Sequence, residues 1–494
     1  MRTKLSLHIC LLFFVTSFSY GQDCNCNATF QWLKKTFEEN DAGFTYILSI
    51  KGQAAYDYHN KTIAEKINVV KTKEACLPVL QEWLGFFRKG HVYIQSLEPK
   101  AATGAASPVK PLDTLAIKSR FKDWPRLQLA LPEFEQYLGS KSTPDFEGIW
   151  ESLPYKIAIK KTSDGYKGIL LNNVPPYWEA GQVKLEIKTD GGKWKGILYL
   201  RDHTKVENDD VQAIGQNYAQ VASLWLKRLV PALTTEEDVQ DFLKMQNARS
   251  PYMKQLGDST LYFRIPSFEL SQKKAIDSVL TANKDILAKT PNLIIDIRGN
   301  GGGGDYAFNG IIPYLKTNPI STPGVDYLST PLNNQRMLDF ITKPEYKTLF
   351  TDEQKQFLKQ SYDTLQQHVG TFVHLNEPVK APSEVAIAPK VYPRQVGIII
   401  DGGVGSTAEQ FLLAAKQSKK VKLFGVITYG ALDIANMYAV KSPCNDYELG
   451  YGLSRSKRIP QYILDDRGIQ PDYFISNETP AFKWIGYVKS ILEQ

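Results

Sequence analysis

DIRGNGGGG, residues 296–304, is the most informative stretch for the fold, and it overlaps the end of the apolar run 293–297. A second stretch of the same kind, DGGVGSTAE at residues 401–409, follows the apolar run 396–400 and opens an amphipathic segment. A buried strand that ends in glycines and leads into a helix is typical of a parallel, helix-covered sheet. In such sheets, functional sites lie at the carboxyl ends of the strands, where both stretches fall.

Three zones of different periodicity organise the chain. Residues 22–111 are mainly helical by pattern, with Phe30, Leu33 and Phe37 on one face, and they end in a Pro/Ala/Ser-rich stretch, residues 99–111. Residues 112–240 contain a linker and, from about residue 145 to 204, four or five runs of period two separated by hairpin signals. Residues 241–494 alternate strand and helix. We therefore predict an α/β fold: a mostly parallel, helix-covered sheet core, an N-terminal helical region and an inserted small antiparallel β domain.

Composition narrows the function classes. The 494 residues are 43% hydrophobic and 22% charged, which excludes a disordered chain. The formal net charge is +7, with scattered Lys and Arg residues, and nothing indicates a nucleic-acid surface.

The pattern of the N terminus is typical of a targeting segment. Arg2 and Lys4 precede the apolar run 5–18, and a small-x-small cleavage site follows at residues 19–21. The run is shorter than the roughly 20 residues of a membrane span. We predict a signal peptide over residues 1–21, a mature chain with no stable membrane span, and a periplasmic or extracellular location.

Four cysteines follow that segment: Cys24, Cys26, Cys76 and Cys444. In an oxidising compartment they can form up to two disulfides, with the pairing open, although Cys24 and Cys26 are poorly placed to pair with each other. No second close-spaced pair of ligands accompanies them, so we predict no metal site and no cofactor.

Both glycine turns have competing interpretations. The first lacks the Gly-Lys-Ser/Thr ending of a phosphate loop and the spacing of a dinucleotide fingerprint, which leaves a ligand-approaching turn or a merely flexible one. In the second, Ser406 at a helix start can present its Oγ as a nucleophile. Ser406 and Glu409 also fit a capping box, which needs no catalysis.

A nucleophilic serine needs a base, and His91 lies where the second predicted helix gives way to an extended segment. Acids lie near the C terminus, at Asp465, Asp466 and Asp472. A histidine at such a junction and acids on such a loop are equally compatible with structural roles.

Four aromatic residues of the β domain suggest a second kind of ligand. Trp150, Tyr177, Trp178 and Trp194 can stack on a glycan, or they can fill the core of the domain.

Taken together, the segments resemble those of the C-terminal processing (tail-specific) peptidases and their relative tricorn protease. His91 matches the histidine segment of that family, DIRGNGGG its glycine strand and turn, GSTAEQF its nucleophile turn, and GIQPDYF its C-terminal motif. The resemblance covers about residues 241–475 well and the helical region loosely.

One departure from the family pattern indicates the mechanism. Processing peptidases carry a catalytic lysine just after a Thr-x-Gly turn, but Ala431, Leu432 and Asp433 follow that turn here. The tricorn-like branch uses a histidine oriented by an acid, and His91 and Asp465 fall on those positions. Gly90 stands where tricorn has an assisting serine, and the β domain lacks the carboxylate-binding loop of a PDZ module.

The resemblance implies a secreted serine endopeptidase that hydrolyses peptide bonds. Ser406 is the nucleophile, His91 the base and Asp465 the orienting acid, with Asp466 as its substitute. The N–H groups of Gly302 or Gly303 and of Thr407 form the oxyanion hole, and the substrate groove includes Asp433 and Asn436. The partner is a peptide or protein. The alternative is a non-catalytic protein that binds a peptide or another ligand on the same scaffold.

Overall fold

The computed structural model describes residues 24–97, 113–191, 193–346, 349–375, 390–476 and 478–494. The predicted signal peptide, residues 1–21, and the predicted Pro/Ala/Ser-rich stretch, residues 99–111, lie outside the described residues.

The described α-helices lie on both sides of the β-rich stretch 148–230. They are α1 (Cys26–Asn40), α2 (Phe44–Lys51), α3 (Gln53–Val69), α4 (Lys73–Gly85), α5 (Thr114–Arg120), α6 (Leu131–Ser140), α7 (Glu237–Asn247), α8 (Lys273–Ala282), α9 (Lys284–Leu287), α10 (Ile312–Leu315), α11 (Pro331–Thr342), α12 (Asp352–Gln366), α13 (Thr407–Ala415) and α14 (Trp484–Leu492).

The strands form three sheets. They are β1 (Tyr93–Ser96), β2 (Gly148–Ser152), β3 (Tyr155–Thr162), β4 (Gly165–Leu170), β5 (Val183–Asp190), β6 (Lys193–Tyr199), β7 (Lys205–Asn208), β8 (Val211–Ile214), β9 (Tyr218–Val221), β10 (Leu224–Val230), β11 (Tyr252–Gln255), β12 (Thr260–Arg264), β13 (Asn292–Asp296), β14 (Val325–Leu328), β15 (Phe372–His374), β16 (Gln395–Ile400), β17 (Val421–Gly425), β18 (Ile434–Lys441), β19 (Tyr447–Ser456) and β20 (Tyr473–Phe474).

The described chain divides into two compact units. Unit 1 takes the described residues of 1–100, 323–379 and 430–467, and unit 2 takes those of 101–322, 380–429 and 468–494. The domain boundaries predicted from sequence, at residues 111 and 240, stay predictions.

Unit 1 is built on a five-stranded antiparallel sheet. Its strands run in the order β1-β19-β14-β15, with β18 also paired to β19. The helices of the N-terminal region pack on it through a buried aromatic cluster that includes Phe37, Trp83 and Phe87. Phe30, Leu33 and Phe37 are all buried, as their shared helical face predicts.

Two disulfides tie the N terminus of unit 1. Cys24 pairs with Cys444, and Cys26 pairs with Cys76. The sequence left this pairing open. The bonds are compatible with a secreted or periplasmic protein, because disulfides persist in oxidising compartments.

Unit 2 contains a six-stranded sheet in the order β11-β12-β13-β16-β17-β20. The pair β11–β12 is antiparallel and the other neighbours are parallel. All residues of β12 and β13 are buried, as expected for parallel strands that are covered on both faces.

Unit 2 also holds a nine-stranded antiparallel sheet over residues 148–230, in the order β7-β6-β5-β4-β3-β2-β10-β9-β8. The sequence predicts four or five strands over about residues 145–204, and five strands, β2 to β6, lie there; β7 to β10 extend the sheet beyond that range. The chain is mixed α/β, but the mostly parallel arrangement describes one sheet of three, since the five- and nine-stranded sheets are antiparallel.

Within the described ranges, no helix is both long enough and apolar enough to cross a membrane.

The Cys26–Cys76 disulfide should contribute strongly to the stability of unit 1. It closes a loop with a sequence separation of 50 around the aromatic cluster. The double variant Cys26→Ser/Cys76→Ser should lose about 2–5 kcal/mol of unfolding free energy, because the unfolded chain regains loop entropy. Urea unfolding followed by tryptophan fluorescence measures the change. An unfolding midpoint equal to that of the unmodified protein would contradict the assigned pairing.

Candidate functional site

The two glycine turns of unit 2 lie at the same edge of the six-stranded sheet. They follow β13 and β16, which are parallel neighbours with Asp296 opposite Ile399. Because the strands run in the same direction, the chain leaves both at their carboxyl ends, where residues 297–304 and 401–406 form the turns.

Asn300 joins the two turns. Its side chain is fully buried; Nδ2 donates to Ile265 O at 3.2 Å and Oδ1 accepts from the Gly302 N–H at 3.0 Å. Its main-chain oxygen accepts from the Gly405 N–H at 3.1 Å. One residue thus fixes the first turn internally and ties it to the second.

This arrangement corrects one predicted role. The sequence predicts Gly302 or Gly303 as a donor to the oxyanion, but the N–H of Gly302 is already bonded to Asn300 Oδ1. The N–H groups of Gly303 and Thr407 have no hydrogen-bond partner among the described residues. Of the predicted donors, these two retain the capacity to bind an anion.

Gly302 instead permits a close approach between the turns. Its φ is +103°, and an added Cβ would stand 2.8 Å from both Ser406 Cβ and Thr407 N. Real Cβ atoms essentially never come so near another heavy atom. Glycine is required here both by backbone conformation and by space.

Ser406 has a strained backbone, with φ 55° and ψ −126°. For a residue other than glycine such a conformation costs about 1–3 kcal/mol and is concentrated at functional sites. Its side chain makes no capping bond to α13. A serine on a sharp turn between strand and helix is the arrangement that exposes the nucleophile in α/β-hydrolases.

The capping-box interpretation of Ser406 and Glu409 is wrong for the same reason. Glu409 is fully buried, and its Oε1 accepts from the Thr428 hydroxyl at 2.5 Å. Thr428 Oγ1 in turn accepts from the Ile469 N–H at 2.7 Å. The glutamate therefore anchors the segment at Thr428 rather than closing a cap over α13.

In unit 1, His91 is held in one tautomer by a backbone carbonyl. Its Nδ1 lies 2.6 Å from Ile434 O, and a carbonyl only accepts, so Nδ1 carries the proton. Nε2 is then the basic nitrogen. The backbone of His91 is in the left-handed region, at φ 54°.

A buried ion pair holds the loop that carries His91. The guanidinium of Arg88 binds both carboxylate oxygens of Asp41, at 2.8 and 2.5 Å, and both side chains are almost completely buried. Arg88 also donates to Gly90 O at 3.1 Å and to His91 O at 2.8 Å. This pair is absent from the sequence-based prediction.

Asp465 and Asp433 connect two segments of unit 1, residues 432–434 and 464–465, by reciprocal hydrogen bonds. Asp465 Oδ1 accepts from the N–H groups of Leu432 and Asp433 at 2.6 and 2.7 Å, and Oδ2 from that of Ile434 at 3.3 Å. Asp433 Oδ2 accepts from the N–H groups of Leu464 and Asp465 at 2.6 and 2.8 Å.

These contacts revise the predicted role of Asp465. At Nδ1 of His91 a main-chain carbonyl, that of Ile434, takes the place that the sequence assigned to the Asp465 carboxylate. Asp465 holds the peptide segment to which that carbonyl belongs. Its influence on the imidazole is exerted through the backbone.

The surroundings shift two pKa values in opposite directions. Burial, with the nearby charge of Arg88, lowers the pKa of His91 and favours the neutral imidazole. Burial and the charge of Asp433 raise the pKa of Asp465 to about 7. Asp433 itself is paired with Arg458 at 3.2 Å.

Asp466 and Asn436 also lie in unit 1. Asp466 Oδ1 accepts from the Lys89 N–H at 3.0 Å, two residues before His91. Asn436 donates to Ser454 Oγ at 2.8 Å. A role for Asn436 or Asp433 in binding substrate stays a prediction.

Two of the four aromatic residues singled out in the β domain are core, and Tyr177 is partly buried against the same cluster. Trp150 and Trp178 are each only 1% exposed, whereas Trp194 is 39% exposed. The buried pair cannot stack on a glycan, so core packing accounts for those two.

Comparison with known proteins identifies the family. Residues 259–475 match the model of peptidase family S41, and this range contains both glycine turns and Asp465. These residues are similar to an S41 peptidase domain and are called the S41 domain below. The family resemblance inferred from the motifs is thereby confirmed.

Three solved structures align with the chain at low identity. Mature CPAF in complex with lactacystin is 13% identical, with a TM-score of 0.50, over 95% of this chain and 98% of that chain. The photosystem II D1 C-terminal processing protease is 13% identical (TM-score 0.37; 95% and 97% covered). Tricorn protease is 10% identical (TM-score 0.39; 95% and 36% covered). A search of curated protein sequences finds no match.

Two neighbouring glycines of the S41 domain provide a matched test of the turn. Gly302→Ala should lower the unfolding free energy by at least about 1–3 kcal/mol, because the new Cβ meets Ser406 and Thr407 at a positive φ. Gly301→Ala should be nearly neutral, since nothing lies within 4 Å of its added Cβ. Chemical unfolding of both variants measures the difference. Equal stability of the two would disprove the close approach.

Proposed function

We propose that the chain is a secreted or periplasmic serine endopeptidase in which Ser406 is the nucleophile and His91 the general base. The observation that carries the proposal is the backbone of Ser406, strained at the strand-to-helix turn and without a capping bond to α13. The S41 match over residues 259–475 supports the reaction class.

The chemistry follows from the two groups. His91 Nε2 takes the proton of Ser406 Oγ as that oxygen attacks the scissile carbonyl, and then delivers the proton to the leaving amine. In the second half of the reaction, His91 takes a proton from water as the water attacks the acyl carbon. Ser406 Oγ then leaves and takes that proton from His91. The N–H groups of Gly303 and Thr407 bind the oxyanion, and losing one such donor typically costs about 10²- to 10³-fold in rate. The mechanism requires Nε2 and Oγ to come within hydrogen-bonding distance.

Asp465 is assigned a positioning role. It accepts hydrogen bonds from three consecutive backbone N–H groups that end at Ile434, the residue whose carbonyl binds His91 Nδ1. Asp433 reinforces this arrangement from the other segment. The mechanism calls for no metal or organic cofactor.

The first test is covalent labelling with a fluorophosphonate probe. Ser406→Ala and His91→Asn should each lower labelling and cleavage of fluorescent casein by at least about 10³-fold, because nucleophile and base act together. Asparagine is chosen at His91 because it tolerates a positive φ.

Two exposed residues supply matched controls. Ser490→Ala and His368→Asn change the same residue types on α14 and just after α12, and both should retain full labelling. Labelling of the Ser406→Ala variant at the rate of the unmodified protein would refute the nucleophile. Peptide binding by unmodified protein without labelling would establish a binding protein instead.

The second test is the pH dependence of kcat/KM. The acid limb should inflect below pH 6.5, because the lowered pKa of His91 keeps the base neutral at a lower pH than usual. Asp465→Asn should lower kcat by about 10- to 100-fold with KM little changed, and it should leave the acid limb in place. A limb that moves with this substitution would assign the titration to Asp465.

Stability provides an independent readout of the same variant. The pKa of Asp465 is raised in the folded chain from 3.8 to about 7, so folding favours its protonated form. The unmodified protein should therefore lose stability relative to Asp465→Asn as pH rises from about 4 to about 7. A stability difference that does not change over this range would contradict the assigned environment.

A further inference from the structure

Unit 1 contains a cavity of about 850 Å³ beside the segment that orients His91. Ile434, whose carbonyl accepts from His91 Nδ1, is part of its lining, and so are Asp433 and Asp465. The volume is within the range of pockets that hold small ligands.

The acidic groups of this cavity are already satisfied. Each carboxylate has a partner within unit 1. Asp326 forms an ion pair with Lys457, and Asp433 forms one with Arg458. Asp465 accepts hydrogen bonds from three backbone N–H groups, and Asp466 accepts one from the N–H of Lys89. These acids therefore contribute little remaining capacity to bind a cation.

Of the four basic residues that line the cavity, Lys457 is paired with Asp326 and Lys51 donates to Phe86 O, whereas the two arginines have no ion pair within the described part of the chain. Arg455 lies over the Phe372 ring at 4.1 Å, and neither it nor the exposed Arg467 has an ion-pair partner among the described residues. Burial and the charge of Asp433 raise the pKa of Tyr46, while the charges of Arg467 and Arg455 oppose that rise. Both guanidinium groups thus lie close enough to act on Tyr46, which also lines the cavity.

The rest of the wall is largely aliphatic, which favours a ligand with apolar as well as charged parts. Its members include Ile47, Ile50, Ile459, Pro460 and Ile463. Among the charged side chains of the lining, the two arginines are the ones with neither an ion pair nor a side-chain hydrogen bond to the described residues, and their planar guanidinium groups match a carboxylate.

We infer that this cavity is a substrate pocket that binds an acidic side chain of the peptide, with Arg455 and Arg467 on its carboxylate and the isoleucines against neighbouring aliphatic side chains. The inference rests on the proposed peptidase function, because it takes the ligand to be a peptide. It adds a substrate class to that function.

The test is binding to the full chain carrying Ser406→Ala, so that no turnover is needed. The probe is N-acetylated Ala-Leu-Glu-Leu-Ala with an amidated C terminus, compared by calorimetry with the same peptide containing Gln in place of Glu. The Glu peptide should bind about tenfold more tightly, as expected for one charge-assisted contact. Equal affinities, or no measurable binding of the Glu peptide, would overturn the inference.

Variants locate the contact. Arg467 is exposed, so Arg467→Gln cannot disturb the core. Both this variant and the double variant Arg455→Gln/Arg467→Gln should reduce the preference for the Glu peptide to about twofold or less. Lys61→Gln, an exposed charge on α3, should leave the preference unchanged. A preference that survives in the double variant would place the acidic side chain elsewhere.

A further peptide separates the two sources of a carboxylate. If the Gln peptide with a free C terminus binds as tightly as the amidated Glu peptide, the pocket binds a C-terminal carboxylate and the assignment to an acidic side chain fails. The peptidase proposal is judged separately, by fluorophosphonate labelling at Ser406. A Glu preference without labelling would keep the pocket and reject the catalysis.

Discussion

The architecture of the S41 domain depends on the hydrogen bonds of Asn300. This buried side chain donates one amide N–H to Ile265 O and accepts the Gly302 N–H at its carbonyl oxygen. Its main-chain oxygen accepts from the Gly405 N–H, in the turn that leads to Ser406. An unsatisfied amide in that position would carry a desolvation cost of about 1–3 kcal/mol. The same bonds set the distance between the turns, so only glycine fits at residue 302. A strained serine can persist there because its neighbours overdetermine its conformation.

In unit 1, buried charged side chains hold the backbone segments in place. Two short segments, residues 432–434 and 464–465, place five backbone N–H groups around two carboxylates. A third carboxylate, Asp41, holds Arg88 and through it the loop of His91. Removing one partner of such a buried pair is costly, since it leaves a charge without compensation. The position of the imidazole is therefore specified by backbone groups that buried acids and a buried arginine hold in place.

Local signals in the sequence predicted one half of the candidate site better than the other. The glycine turns are contiguous stretches, each attached to an apolar run, and the structure places them at the ends of β13 and β16. The partner of His91 is a carbonyl 343 residues away in the chain, and no side-chain pattern reports a backbone acceptor. The Arg88–Asp41 pair is equally remote from any motif. For the fold, β1 and β14 have only four residues each and both pair with β19, which is too little periodicity to predict a second antiparallel sheet.

The carbonyl at His91 Nδ1 has a consequence for the proposed chemistry. When imidazole takes a proton in the transition state, a carboxylate partner supplies a full countercharge, whereas a carbonyl supplies only the end of a dipole. Burial and the charge of Arg88 further disfavour the imidazolium, as the lowered pKa of His91 indicates. In the proposed mechanism His91 is consequently neutral at neutral pH, but it is a weaker base than a histidine in a direct Ser-His-Asp arrangement. Rate enhancement must then come to a greater extent from the oxyanion donors and from substrate positioning, which act without a proton transfer.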